Sequence, residues 1–335
     1  MRVRLAVLLF FMALLTGCAG RAGAGPGLAP GRENRLSVYT SHKEEVYAPI
    51  IKEFEERTGI WVQLVTGGTT DLLERISGES GSPSADVLFG GGVESLSAYR
   101  EFFEPYRCAH YADIKTEFRS EEDLWTAFSA LPVVIIYNTK LVPQGGVTGW
   151  GDLLNPAWKG RIALADPLVS ASSYTGVMTM LQSLSDSPWE TLDTFAANLG
   201  GSILSDSGDV VPAVLSGSKS LGITLEETAA RYVSQGADIA IVYPGEGTSA
   251  VPDGCALLKG ARNPETAKLF IDFVLSKEAQ EHVVTAMYRR SVREDVEDPS
   301  DLISWDGIIL SSYDLDWAAG EKPAFAGRWL EALAP

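Results

Sequence analysis

Hydroxyls, bare backbone and adjacent carboxylates recur in this sequence where short apolar runs give way to helical patterns. Ser41 and His42 follow the β-type run 36–39 and precede a helical stretch, where backbone N–H groups and the helix dipole favour an anion. Gly67-Gly68-Thr69-Thr70 offers unhindered amides and two hydroxyls ahead of a second helix, a cradle for an anionic or polar group, with Gly68 and Thr69 at its centre. Gly90-Gly91-Gly92 lets the backbone come close to a ligand, Gly91 foremost. Ser170, Ser172, Ser173, Tyr174 and Thr175 crowd another helix start, where hydroxyls and dipole converge on phosphate or carboxylate without a full positive charge. Thr224, Glu226 and Glu227 close a run from Leu221; paired carboxylates there accept hydrogen bonds from hydroxyl or amino groups, or ligate a metal ion. Tyr243, Glu246 and Thr248 lie at a further strand end. Each group has a plainer role open to it. Ser41, Thr70, the serines and one glutamate can serve as helix caps. His42 can be a solvated turn residue, and Tyr243 and Glu246 can set a hinge.

The elements that must hold these groups follow from hydrophobic spacing. Val46, Ile50 and Phe54 recur at i, i+4, i+8 and predict a helix over 43–58, ended by Gly59. Strands are expected at 36–39, 60–65 and 85–89, the last stopped by the three glycines, with helices at 71–76 and 93–100. This β-α-β-α-β-α order predicts an α/β fold with a mixed, mainly parallel sheet and helices on both faces. Small ligands gather at the carboxyl ends of strands in such sheets, where the clusters above fall. The apolar run 131–137 marks a crossing into a second lobe. That lobe is expected to hold strands at 161–165, 221–224 and 239–243, and helices at 174–184, 189–199, 211–216 and 226–234. Residues 244–250 return the chain, 253–259 form a strand back in lobe one, and one long amphipathic helix is expected from Asn263 to Val284. The expected division is 1–17 leader, 18–35 tether, 36–131 lobe one, 132–248 lobe two, and 249–335 the rest of lobe one with C-terminal helices.

Composition narrows the class. The 335 residues are 45% hydrophobic and 21% charged, which suits a globule rather than a disordered chain. A net charge of -17 argues against nucleic-acid binding, which needs a basic footprint. It also argues against electrostatic adhesion to anionic lipid. Arg2 and Arg4 precede the uninterrupted apolar run 5–15, too short to span a bilayer and suited to a cleaved secretory signal. Leu15-Thr16-Gly17-Cys18 resembles the bacterial lipobox, which implies diacylation of Cys18 and a membrane-anchored lipoprotein. The Gly-, Ala- and Pro-rich stretch 19–31 reads as a flexible tether. Cys108 and Cys255 remain; in an oxidising compartment they either pair or stay as two buried thiols. No enzyme motif fits: His42-Lys43-Glu44-Glu45 lacks the zinc-hydrolase spacing, no Gly-x-Ser-x-Gly occurs, and the glycine-rich loops lack a P-loop ending.

A further set of segments runs in order along the chain. They begin with 38–45, Phe54-Glu55 and Thr58-Gly59-Ile60, then Ala85-Asp86-Val87 and Phe103-Glu104-Pro105-Tyr106. Ile136-Tyr137-Asn138, 155–162, 243–254, 263–268 and 273–280 continue the set. The set resembles type II periplasmic solute-binding proteins, in the branch of ABC-importer components that includes ferric-iron, phosphonate, sugar-phosphate and thiamine binders. It implies two lobes joined by crossing strands that close on a ligand by a hinge motion. It also implies a monomer at the periplasmic face of the cell envelope, an ABC permease as partner in the inner membrane, no cofactor and no catalysis. Within the resemblance His42 is a metal ligand if the cargo is ferric, and Glu226 and Glu227 stand where that branch carries two tyrosines. Glycines stand where it carries an acidic ligand. A phosphorylated or phosphonate organic anion is the expected cargo and ferric ion the alternative. A secreted hydrolase or a sensory binding protein is more remote.

Overall fold

A computed structural model describes residues 31, 34–79, 81–184 and 187–333. The leader, Cys18 and the tether through residue 30 lie outside the described residues. No helix among those described is long and apolar enough to cross a membrane.

Strands β1 (Arg35–Thr40), β2 (Trp61–Thr66) and β3 (Val87–Gly92) form the parallel part of the first sheet, with β1 between the other two. Helices α1 (Glu44–Thr58) and α2 (Thr69–Gly78) make the crossovers. Helix α1 buries Val46, Ile50 and Phe54 and ends at Gly59, whose φ of 69° suits a residue without Cβ. Alternation along β1 sends Leu36 and Val38 to one core with α1, and Tyr39 to the opposite core with Leu72, Leu73 and Ile76 of α2. The short helix α3 (Val93–Ser97) follows β3. Strand β4 (Thr126–Ala130) then enters the sheet, later joined by β9 (Pro252–Leu257) and β10 (Arg290–Ser291). All three pair antiparallel, giving the order β10-β4-β9-β3-β1-β2.

The second sheet has β5 (Val133–Asn138) at its centre, antiparallel to β7 (Leu221–Leu225) and β8 (Ile239–Val242). Strand β6 (Ile162–Ala163) runs parallel to β7 at the edge. Around it pack α4 (Ala171–Leu184), α5 (Pro188–Leu199), α6 (Val210–Leu215) and α7 (Glu226–Ser234). Every residue of β5 is buried, which explains its unbroken apolar run.

Leu131-Pro132 carries the chain out of the first sheet, and 249–251 carry it back beside them. Val133 N–H donates to Ser249 O at 3.1 Å, and Thr248 Oγ1 to Val133 O at 2.6 Å, which ties the two crossings together. A third segment passes the same place, where Thr248 N–H donates to Ile309 O at 2.8 Å. It leads from lobe one to α10 (Leu315–Ala332), which buries Ala318, Phe325 and Trp329 in the core of the second sheet.

Several expectations are corrected. The three glycines do not stop β3, which runs through Gly92 with a shift of register against β9. The single helix expected from Asn263 to Val284 is two, α8 (Pro264–Val274) and α9 (Lys277–Met287). Ser276 begins the second by accepting from Ala279 N–H at 3.3 Å. Strand β4 carries no alternation that would predict it, because all five of its residues are buried. Of the two states left open for Cys108 and Cys255, the structure has two free thiols, both buried in one core of lobe one.

Candidate ligand-binding cleft

The carboxyl ends of β1, β2 and β3 face the start of α4, the loop 205–208 and the start of α7 across a cleft of about 510 Å³. From lobe one come Ser41, His42, Lys43 and Glu45, then Gly67, Gly68 and Thr69, then Gly91 and Gly92. From lobe two come Ser170, Ser172 and Thr175, the loop 205–208, then Thr224, Glu227, Thr228 and Arg231. Asp253 and Arg289 form part of the floor.

Helix starts dominate the lining. Lys43, Gly68 and Leu225 are the N-caps of α1, α2 and α7; none makes a side-chain cap, and all three line the cleft. Of their first-turn N–H groups, Val46 donates to Lys43 O at 2.9 Å and Glu226 to Pro132 O at 2.8 Å, and the N–H groups left over are the ones a ligand can use. At α4, Ser170 Oγ accepts from Ser173 N–H at 3.3 Å. Acidic residues in the first turn offset the starts of α1 (Glu44, Glu45), α2 (Asp71) and α7 (Glu226, Glu227), whereas α4 carries none and provides the strongest positive end. Gly91 has φ +90°, and a Cβ there would sit 2.7 Å from Thr69 Cγ2, so this close approach of loops needs glycine.

The floor is charged and largely shielded from solvent. Asp253 Oδ1 accepts from Ser129 N–H at 2.9 Å and Ser129 Oγ at 2.8 Å; its Oδ2 accepts from Arg289 Nη1 at 2.5 Å. Burial pushes the Asp253 carboxyl up, and Arg289 and Ser129 pull it back. Arg289 also lies 3.7 Å from Glu227 Oε1, and its Nε is buried without a hydrogen-bond partner. His42 packs edge-on against Phe89 with ring centres 4.4 Å apart. Burial first, and the Arg289 charge second, hold its pKa well below the ordinary histidine value, so it is neutral at neutral pH. Its Nε2 is 3.5 Å from Asp253 Oδ2 but makes no hydrogen bond. At the mouth, Arg231 reaches Glu45 of lobe one at 2.5 Å and Glu227 of its own helix at 2.7 Å.

Of the residues singled out from sequence, Ser41, His42, Gly67, Gly68, Thr69, Gly91, Gly92, Ser170, Ser172, Thr175, Thr224 and Glu227 line this cleft. The others do not. Glu226 is 1% exposed and accepts two N–H groups from Arg290, each at 2.8 Å, and the Tyr243 hydroxyl at 2.5 Å. Adjacent positions on a helix do not share a face, so the two glutamates part ways. Tyr243 is thereby a partner of Glu226, not of the cleft. Glu246 accepts from Trp150 N–H at 3.1 Å and Gly151 N–H at 2.9 Å, capping a short turn elsewhere in lobe two. Tyr174 donates to Ala318 O at 2.5 Å and packs on Phe325; Ser173 is buried beside Ser170. The helical period again decides: Ser172 and Thr175, three apart, share the cleft face. Sequence reading missed Arg289, Asp253, Arg231 and the loop 205–208. The last carries a turn signature, Ser-Asp-Ser-Gly, that could have found it; the arginines carry no local pattern.

Among the described residues, no three His, Cys, Asp or Glu side chains gather to hold a metal ion. Glu226, in particular, is not with His42 and Glu227.

The model of bacterial extracellular solute-binding proteins matches residues 82–308. A putative 2-aminoethylphosphonate-binding periplasmic protein of Salmonella typhimurium is 28% identical over 258 residues, 74% of each chain. Iron uptake protein A1 of Synechocystis is 26% identical over 298 residues, covering 83% of this chain and 81% of the relative. The solved periplasmic binding protein AfuA of Actinobacillus pleuropneumoniae, with fructose-6-phosphate bound, superposes with a TM-score of 0.82 at 26% identity. That match covers 89% of this chain and 98% of AfuA. With two sheets, crossing strands and a polar cleft between them, the chain belongs to the bacterial extracellular solute-binding protein family.

Proposed function

We propose that this protein captures a small organic phosphate or phosphonate between its lobes and delivers it to the permease of an ABC importer. The observation that carries the reading is the convergence of the α4 N-terminus, free of acidic residues in its first turn, and the uncapped α2 N-terminus with the buried Arg289 on one cleft. Orphan N–H groups, helix dipoles and a guanidinium all favour an oxyanion. Glu227 and the serine hydroxyls opposite suit the hydroxyl or amino end of such a molecule. The names of the Salmonella relative and of AfuA point to the same chemistry. The site is read as one for binding rather than turnover, consistent with its family. The lipid anchor at Cys18, residence at the periplasmic face of the envelope and action as a monomer belong to the same proposal. So does the lobe division, with residues 36–131 and 249–298 in lobe one, and 132–248 with α10 in lobe two.

Iron is the second reading, favoured by the name of the Synechocystis relative. Its donors would have to be drawn from His42 and Glu227, since Glu226 is committed to Arg290. Native mass spectrometry of the purified protein tests the choice. An adduct with the mass of an organic phosphate or phosphonate, lost on unfolding, is expected; an iron adduct alone would reverse the order.

A further inference from the structure

Behind the cleft, a second set of polar groups joins the lobes. Glu94 is the second residue of α3, one position past the Val93 that follows the three glycines of β3, and is fully buried. Its carboxylate folds back over Gly92, so that a Cβ at Gly92 would lie 2.5 Å from Glu94 Oε2. Glu94 Oε1 accepts from Thr175 Oγ1, a hydroxyl on α4 of the opposite lobe and a residue of the cleft lining. The neighbouring Ser95 Oγ accepts from Lys322 Nζ at 2.6 Å. Lys322 lies on α10, whose core contacts belong to lobe two. Its ammonium also sits 5.1 Å from the ring centre of Tyr174. Glu94 Oε2 and Tyr313 Oη are buried without hydrogen-bond partners, so the junction is polar and closely confined. Two consecutive residues of lobe one are thus each held by a different helix of lobe two.

We propose that Glu94 is a positioning residue for solute capture. It fixes the Gly91-Gly92 lip and, through Thr175, locks that lip to α4 when the lobes meet, with Ser95–Lys322 as the second anchor. Unlike the Glu45–Arg231 pair at the exposed mouth, this junction is shielded from solvent. Losing this hydrogen bond is costly on the Glu94 side, because the buried carboxylate is left unpaired while Thr175 Oγ1 keeps Ala171 O at 3.0 Å. The proposal rests on the reading of the cleft as a site that closes. The lock itself can be tested without any solute.

Hydrogen–deuterium exchange on the full chain, in wild type, Glu94→Gln and Glu94→Ala, reads the lock directly. In Glu94→Ala, amides at 90–92 and at 172–176, on opposite lobes, should exchange at least tenfold faster together, while 36–39 in the β1 core stays unchanged. Glu94→Gln, which retains an acceptor, should show a smaller rise at the same two places and guards against misfolding of the alanine variant. Acceleration confined to 90–92 would overturn the lock, whatever the cleft binds. With fructose 6-phosphate as probe, Glu94→Gln and Thr175→Val should each raise the dissociation rate about tenfold, and the double variant no further. Additive increases would overturn the coupling. If wild type fails to bind this probe, the reading of the solute falls, and the exchange result still decides the lock.

Discussion

Glu226 and Glu227 stand side by side in sequence and should behave as opposites when neutralised. Glu226→Gln removes the charge that receives two N–H groups from Arg290, between side chains 1% and 0% exposed. Removing one partner of a buried pair costs about 3–5 kcal/mol. Asp298, 3.4 Å from Arg290 Nη1, keeps some compensation and places the loss toward the lower end. At roughly 2–4 °C per kcal/mol for folded units of 150–250 residues, Tm should fall by on the order of 10 °C. Because Glu226 does not reach the cleft, the affinity for fructose 6-phosphate should change by less than about threefold, under 1 kcal/mol. Glu227→Gln perturbs a cleft carboxylate paired with the partly exposed Arg231 and 3.7 Å from Arg289, which keeps Asp253, so its stability loss should be smaller than that of Glu226→Gln. Its affinity should weaken at least tenfold, since a hydrogen bond to a charged group contributes about 1.5–3 kcal/mol. Differential scanning calorimetry and isothermal titration on both variants supply the comparison. If Glu226→Gln abolished binding while leaving Tm intact, the separation of the two glutamates would be wrong.

Three further outcomes follow from the same geometry. His42 is held neutral in the fold, so the unfolded chain binds the extra proton below its ordinary value near 6.5; stability is therefore full above that pH and falls as acid is added. Relative to His42→Asn, urea unfolding of the solute-free protein should lose about 1 kcal/mol between pH 6.5 and 5.5; parallel curves would refute the burial of a neutral imidazole. Gly91→Ala must hold φ near +90° and push into Thr69, costing roughly 1–3 kcal/mol and weakening solute binding, readable by thermal shift and titration. Burial pushes the Cys108 thiol to about 11 and the Cys255 thiol well above its usual value. A thiol reagent should therefore miss both in the folded protein and titrate both after denaturation, whereas a disulfide would leave neither.

The legible part of this protein was what repeats locally. The i, i+4, i+8 spacing of Val46, Ile50 and Phe54 set α1 in place, and the glycines and hydroxyls after β1, β2 and β3 marked the lobe-one lip. What stayed hidden depends on tertiary partners. Arg289 and Arg290 are adjacent and chemically alike, yet one faces the cleft floor and the other clamps Glu226. Ser173 and Tyr174 share a hydroxyl-rich turn with Ser172 but turn inward. Strand β4 and the seat of α10 are set by non-local pairing and burial, for which no sequence period exists.

The central claim is that the cleft takes one small organic oxyanion per chain. Isothermal titration with fructose 6-phosphate, 2-aminoethylphosphonate and ferric citrate tests it most directly. The account predicts saturable one-to-one binding of at least one of the two organic anions, weakened in Ser172→Ala. Stoichiometric uptake of iron from ferric citrate, with neither organic anion bound, would contradict it.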